Sequence, residues 1–363
     1  MKKHILIALV LVSGGVLLTY FLLKEDELLV KISSDSNAAV FTFKGNLAVV
    51  GEDLIPLEIE INKDIKKMDF YYNDSLIRSW DTPKGNVTYS FIPGMFGVGT
   101  RTLNLLSTLT DGTSFVDNRT VRVLSDVIPQ RMTIKIVNTY PHNPNSFTQG
   151  LEFYNGALYE GTGDPGNQGL TTVAQVDLIT GETKQKIGLD VGFFGEGITL
   201  LNNTLYQLTW KNQKCYTYDV IKNLQLKGEF NYVGEGWGLC NDGTYLIMSD
   251  GSERITFRNP ETFEISHTLE VYNNKGPINY LNELEYINGK IYANVWTTNA
   301  VIVIDPLNGK VLQEIDATNL VNEGRGSGEV LNGIAYNRKT GKTYMTGKNW
   351  NKLFEVQFIE PGL

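Results

Sequence analysis

Phe193-Phe-Gly-Glu-Gly-Ile-Thr-Leu-Leu-Asn-Asn-Thr-Leu-Tyr-Gln-Leu-Thr-Trp210 reads as two short strands meeting at Asn202-Asn203. One carboxylate, Glu196, stands near the head of the first strand, and Trp210 ends the second. The plan recurs. Gln149 stands 10 residues before Tyr159, Glu196 before Tyr206, Glu235 before Tyr245 and Asn282 before Tyr292, while Asn332 precedes Tyr344 by 12. Four residues after each Tyr come Gly163, Trp210, Ser249, Trp296 and Lys348. The starts are 47, 39, 47 and 50 residues apart, a spacing that marks a repeat protein.

Each repeat continues into a third strand and a turn, as in Val176-Asp-Leu-Ile-Thr-Gly-Glu-Thr183 and Ile304-Asp-Pro-Leu-Asn-Gly-Lys-Val311. Four strands per repeat, with no helical periodicity over a useful window, predict an all-β protein whose C-terminal part is a five-bladed β-propeller. In that fold the first strand of each blade lines a central channel. The repeat therefore places Gln149, Glu196, Glu235, Asn282 and Asn332 around one mouth, with Trp210, Trp296 and Lys348 at its fringe and Trp237 just after Glu235. Five amide or carboxylate side chains could simply pair with one another and fill the channel. Several Trp residues and a Lys converging on the same ring instead suggest a pocket with apolar walls and a few placed polar groups.

The remainder of the chain bounds the context. Of its 363 residues 42% are apolar and 20% charged, as in an ordinary globular protein. The formal charge of −8 and the lack of a basic cluster argue against a nucleic-acid partner. Lys2 and Lys3 precede His4–Leu23, a run without Asp, Glu, Lys or Arg, and Lys24-Glu-Asp-Glu27 follows it. That run is long enough to cross a bilayer. It has neither an Ala-x-Ala cleavage signature nor a Cys to take lipid, so residues 1–28 read as an uncleaved signal anchor, with a cleaved signal peptide as the alternative. The leading Lys residues orient the rest of the chain outside the cytoplasm, a periplasmic or other extracytoplasmic location. Residues 29–125 carry alternating runs such as Leu57-Glu-Ile-Glu-Ile61 and Thr120-Val-Arg-Val-Leu124. About seven short strands predict an immunoglobulin-like β-sandwich here, with the propeller over residues 126–363. Cys215 and Cys240 are two buried thiols or one disulfide, and spacing leaves both open.

The chemistry is narrowed by what the mouth lacks. His4 lies in the anchor, His142 before the first repeat and His267 on an outer strand, so neither a Ser-His-Asp triad nor a His-built metal site is expected. One carboxylate between aromatic walls suits a proton shuttle, and Lys348 with the Asn amides could hold an oxyanion. That set fits intramolecular acyl transfer better than activation of an external nucleophile.

The motifs Phe147-Thr-Gln-Gly-Leu151, Leu158-Tyr-Glu-Gly-Thr-Gly163, Phe194-Gly-Glu-Gly-Ile-Thr199, Leu205-Tyr-Gln-Leu-Thr-Trp210 and Glu235-Gly-Trp-Gly-Leu239 resemble the plant and bacterial glutaminyl cyclases. So do Leu281-Asn-Glu-Leu-Glu285, Ala293-Asn-Val-Trp296, Leu331-Asn-Gly-Ile-Ala-Tyr336 and Thr346-Gly-Lys348, over about residues 132–358 in order. The resemblance implies a five-bladed propeller that converts an N-terminal Gln of a peptide or protein into pyroglutamate with loss of ammonia. It implies Glu196 as the catalytic carboxylate, with Lys348 and Asn282 beside it. Phe147, Gln149, Trp210, Trp237 and Trp296 match the substrate-binding positions. The family's usual Ser-Ser-Leu-Arg segment is replaced by Asp164-Pro-Gly-Asn-Gln-Gly-Leu-Thr-Thr-Val173, which puts the loop contacts to the peptide in doubt, and its Trp-Pro after the Lys by Trp350-Asn351. No cofactor or catalytic metal is expected, a structural divalent cation is left open, and a monomer is expected. Two rivals remain: a non-catalytic propeller that binds peptide or protein N-termini, and a lyase acting on a cyclic ester, which would call for a His or a divalent metal.

Overall fold

In the computed structural model the described residues are 37–44 and 47–362, together with the backbone of two antiparallel dipeptide strands, Leu11–Val12 and Gly15–Val16. Most of the expected anchor therefore lies outside the described residues. Among the described residues no helix is long and apolar enough to cross a membrane. The chain divides into two compact units. One comprises residues through Phe41, Ile59–Val87 and Asn104–Asn118, and the other Thr42–Glu58, Thr88–Leu103 and Arg119–Leu363.

The first unit is built of β-hairpins, such as Ile65–Tyr72 with Ser75–Asp81. Between residues 39 and 124 there are eight described strands, where about seven were expected, and they belong to a five-stranded and a three-stranded sheet. Ile55–Ile61 alternates buried and exposed residues, as a strand covered on one side must.

The second unit contains five four-stranded units in a propeller-like ring. The first four run Thr148–Gly188, Gly195–Asn231, Leu239–Glu270 and Leu281–Asp316, each an antiparallel sheet in sequence order. The fifth has Leu331–Asn337, Lys342–Gly347 and Lys352–Ile359, and takes its fourth strand from before the first repeat: Gln130–Pro141 pairs antiparallel with Lys352–Ile359. The same strand runs parallel to Gln313–Asp316, so the last two repeats merge into one eight-stranded sheet. This closing strand is not marked in the sequence. It carries no copy of the repeat motif, because an outermost strand has no ring residue to present.

Burial follows position in the ring. The first strands Gly195–Leu201 and Leu331–Asn337 are buried almost throughout, whereas the fourth strands, such as Gln225–Asn231, are polar and largely exposed. Five apolar clusters each join two neighbouring sheets, the last joining the first repeat to the fifth. The one α-helix among the described residues, Thr318–Gly324, places Leu320 and Val321 in the cluster between repeats four and five, against Trp350. The hairpins turn at Asn155-Gly156, Asn202-Asn203 and Asn288-Gly289, all at positive φ. Two such residues in a row are what a type I′ turn requires, and Asn and Gly adopt that conformation at least cost.

Candidate active site

In four repeats the pairing of first and second strands shifts at the ring position. The breaks fall between Thr148 and Gly150, Gly195 and Ile198, Leu281 and Leu284, and Leu331 and Ile334. Gln149, Glu196, Asn282 and Asn332 are therefore bulge residues, which re-aims their side chains out of the regular alternation. A continuous circuit of hydrogen bonds links the five repeats at this level. Gln149 Nε2 donates to Glu196 Oε1 (3.3 Å), and the Gly197 amide donates to the Trp237 carbonyl (2.7 Å). Ser249 Oγ donates to the Asn282 carbonyl (2.7 Å), and the Gly333 amide to Asn294 Oδ1 (3.1 Å). Asn332 Nδ2 completes the circuit at Gln149 Oε1 (3.2 Å).

The third repeat corrects one expectation. Aligning hairpin turns places Trp237, not Glu235, in the ring: Glu196 lies five residues before Leu201, which pairs across its turn with Thr204, and Trp237 lies five before Asp242, whose amide donates to the Tyr245 carbonyl. Packing agrees. Gly238 and Gly197 occupy the same step, where neighbouring first strands nearly touch; a Cβ at Gly238 would sit 1.9 Å from the Asn282 carbonyl oxygen. Counting back from Tyr245 gave the wrong residue because Tyr245 belongs to the turn in this repeat.

Glu235 has a different task. Its Oε2 accepts from both Trp210 Nε1 (2.7 Å) and Trp237 Nε1 (3.0 Å), tying the two indoles to one half-exposed carboxylate. The aromatic wall is continuous on either side. Trp237 stands perpendicular to Trp296 at 5.5 Å, and Tyr280 lies 6.0 Å from Trp296. Trp210 packs edge-on to Phe194 (5.7 Å), Phe194 to Phe147 (6.0 Å), and the Lys348 ammonium sits 4.8 Å over the Phe147 ring. Gly163 and Gly251 make room for this wall, since a Cβ at either would run into Phe194 or Trp237.

All eight sequence-predicted site residues thus share one patch. Phe194 and Tyr280, which the sequence does not single out, belong to it as well, as do Asn332 and Glu235, expected in the ring but without an assigned catalytic or substrate-binding part. Phe194, two residues before Glu196, was within reach of the sequence; the geometry of Glu235 was not. The polar groups are deeply covered: Glu196 is 6% exposed, Lys348 5% and Asn282 2%, while Trp296, at 37%, is the open side.

That burial sets the charges. Desolvation pushes the Glu196 carboxyl well above the usual carboxylate range; the Lys348 charge opposes the shift and the Glu235 charge adds to it. Burial likewise lowers Lys348, against the attraction of Glu196 and Glu329. A carboxylate so raised is a stronger base than an exposed one. Asn282 Oδ1 and Asn332 Oδ1 are buried without a hydrogen-bond partner among the protein atoms, leaving acceptors for an N–H brought in by a ligand. Cys215 and Cys240 are buried free thiols, which settles the alternative left open by their spacing.

A propeller-like all-β protein with a buried carboxylate, a Lys and unpaired amide oxygens behind an aromatic entrance defines a class suited to proton transfer on a small polar group held between rings. The chain belongs to the glutamine cyclotransferase family, whose model matches residues 106–358. It is 36% identical over 229 residues to the glutaminyl-peptide cyclotransferase of Arabidopsis thaliana, covering 62% of this chain and 71% of that protein. The crystal structure of Myxococcus xanthus glutaminyl cyclase is 38% identical with a TM-score of 0.60, covering 64% of this chain and 99% of that one.

Proposed function

We propose that Glu196 is the proton shuttle with which this glutaminyl-peptide cyclotransferase closes an N-terminal Gln to pyroglutamate and releases ammonia. The observation that carries this reading is the environment of Glu196, a covered carboxylate with raised proton affinity, held by Gln149 and facing the Lys348 charge. The substrate side chain sits among Trp210, Trp237 and Trp296. Its α-ammonium, whose pKa is near 8, gives a proton to Glu196, and the freed amine attacks the γ-carboxamide carbon. The new N–C bond forms as the amide oxygen takes up negative charge near Lys348. Glu196 returns the proton to the departing nitrogen, the C–N bond breaks and ammonia leaves; the carboxylate then takes the second proton from the ring nitrogen, giving the neutral lactam, and passes it to the ammonia or to solvent. Asn282 Oδ1 accepts from a substrate N–H and holds the amide in place. Nucleophile and electrophile belong to one residue, so freezing the reactive rotamer supplies much of the acceleration.

We further read residues 126–363 as the five-bladed catalytic propeller and residues 29–125 as an immunoglobulin-like sandwich, on the strand patterns above. The apolar run 4–23 supports a membrane anchor with the enzyme on the extracytoplasmic side, where signal-peptide removal exposes N-terminal Gln. The protein acts as a monomer, and the chemistry above needs no cofactor.

The test is ammonia release from a Gln-initiated dipeptide, with and without chelator. Turnover that survives the chelator and falls about 10³-fold in Glu196→Gln supports the assignment, this being the usual scale of general acid–base catalysis. Near-normal turnover in that variant would refute it. Peptide bound without ammonia released would favour the binding-module rival.

A further inference from the structure

Behind the mouth lies a second buried constellation that the mechanism does not use. His142 is 7% exposed and Glu160 4%. Imidazole Nδ1 faces the Trp350 carbonyl at 2.7 Å and Nε2 faces Glu160 Oε1 at 2.9 Å. Thr346 Oγ1, whose own proton goes to the Lys352 carbonyl, presents a lone pair to Nδ1 at 3.5 Å. Acceptors flank both ring nitrogens, so the ring carries two protons and the site is a buried imidazolium–carboxylate pair. Its electrostatics agree: burial alone would depress His142, but the Glu160 charge and hydrogen bond hold it above its ordinary value, and the His142 charge holds Glu160 below its own.

The pair joins two segments that each carry a piece of the proposed site. On one side Glu160 accepts from Ser146 Oγ (3.1 Å) and Thr148 Oγ1 (2.7 Å), which flank Phe147 and immediately precede Gln149. On the other, His142 holds the Trp350 carbonyl, two residues beyond Lys348, and the Asn349 amide donates back to the Ser146 carbonyl (2.8 Å). We propose that His142 and Glu160 are positioning residues for the cyclisation, clamping the Phe147–Gln149 segment to the Lys348 turn so that the ammonium, the Gln149 amide and Glu196 keep one geometry. This rests on the cyclotransferase reading above. A buried ion pair is a poor source of net stability, and directional constraint is a better-attested use for one.

The experiment compares wild type with His142→Gln and Glu160→Gln. It follows kcat and KM for ammonia release from a Gln-initiated dipeptide, affinity for that dipeptide by quenching of Trp fluorescence, and melting temperature. We expect kcat to fall about 10- to 100-fold in soluble, folded His142→Gln, the scale of a misplaced catalytic group. In a Lys348→Ala background the same substitution should add less than about twofold, because groups acting as one unit are non-additive. A lowered melting temperature with kcat within about twofold of wild type, or an undiminished loss in the Lys348→Ala background, overturns the proposal. Should His142→Gln not fold, Thr148→Val removes one donor to Glu160 and keeps the pair; a several-fold loss of kcat supports the clamp and an unchanged kcat overturns it. If wild type binds the dipeptide but releases no ammonia, the cyclotransferase reading is what fails. The clamp is then judged on affinity alone, supported by weakening of about tenfold or more in His142→Gln and overturned by none.

Discussion

One oxygen of Glu235 holds two indoles, and that arrangement makes separable demands on binding and on proton transfer. In Glu235→Ala both Trp rings lose their anchor while Glu196 and Lys348 stay in place. KM should rise about tenfold, about 1.4 kcal/mol of substrate binding lost as the two indoles come loose, with a smaller change in kcat. The charges make a sharper test. Glu235 raises the Glu196 carboxyl and Lys348 lowers it, with burial the larger cause of its elevation. Since Glu196 must be ionised to accept a proton, its titration sets the acid limb of kcat/KM. Glu235→Gln should move that limb to lower pH, and Lys348→Met to higher pH. Shifts of the same sign in both would remove Glu196 from the role of base.

At the level of the element, the informative place is the third repeat. Four of the five ring residues could be read from the chain because a polar residue and a Tyr recur at fixed spacing over hairpins of nearly constant length. The fifth was misplaced, since sequence spacing counts residues whereas the ring is set by where neighbouring backbones touch. That contact leaves its mark as Gly150, Gly197 and Gly238, one step after the ring residue in the first three repeats; Gly333 holds the same step in the fifth and has a positive φ of 115°. Glu283 takes this step in the fourth repeat and spends its carboxylate on the amides of Leu151 (3.2 Å) and Ile334 (2.9 Å) across the channel. Gly238→Ala should therefore push on the Asn282 carbonyl and cost about 3 kcal/mol, the upper range for overpacking. Chemical denaturation checks this, and the remaining folded protein should turn over slowly because Asn282 is displaced. The closing strand was beyond sequence reading because it exists only through partners roughly 200 residues away, and the role of His142 was hidden for a related reason: Glu160 is only 18 residues on, but the Trp350 carbonyl that completes the pair's surroundings is 208 residues away.

For the whole molecule, four of the buried carboxyls and His142 point one way, against Glu160, held low by the His142 charge, and Lys348, lowered by burial. Glu196, Glu283 and Glu285 are held well above the usual carboxylate range by burial, Glu152 is raised to about 7 by the same cause, and His142 is raised by Glu160 against its own burial. A carboxyl whose folded pKa is raised binds its proton more tightly in the native state, so its stabilising share is present at low pH and is lost as pH climbs from the unfolded value to the folded one. A raised His behaves in the same sense, losing its share as pH passes its folded pKa. The protein should accordingly be more resistant to urea at pH 5 than at pH 8, with Glu152 alone worth on the order of 3 kcal/mol over that window. A flat or rising midpoint would mean that the channel carboxylates are ionised and compensated throughout.

The strand Gln130–Pro141 has a consequence in time rather than in structure. It emerges from the ribosome early, yet its antiparallel partner, joined for example by Asn138 to Glu355, is 217 residues further on. At ordinary elongation rates that is a wait of about 10–40 s with an open edge. Four sheets can form as they are synthesised, but the ring cannot. A cell making this protein must keep one β-edge unsatisfied until nearly all of the ring exists, so a chaperone that holds that edge bears directly on its yield.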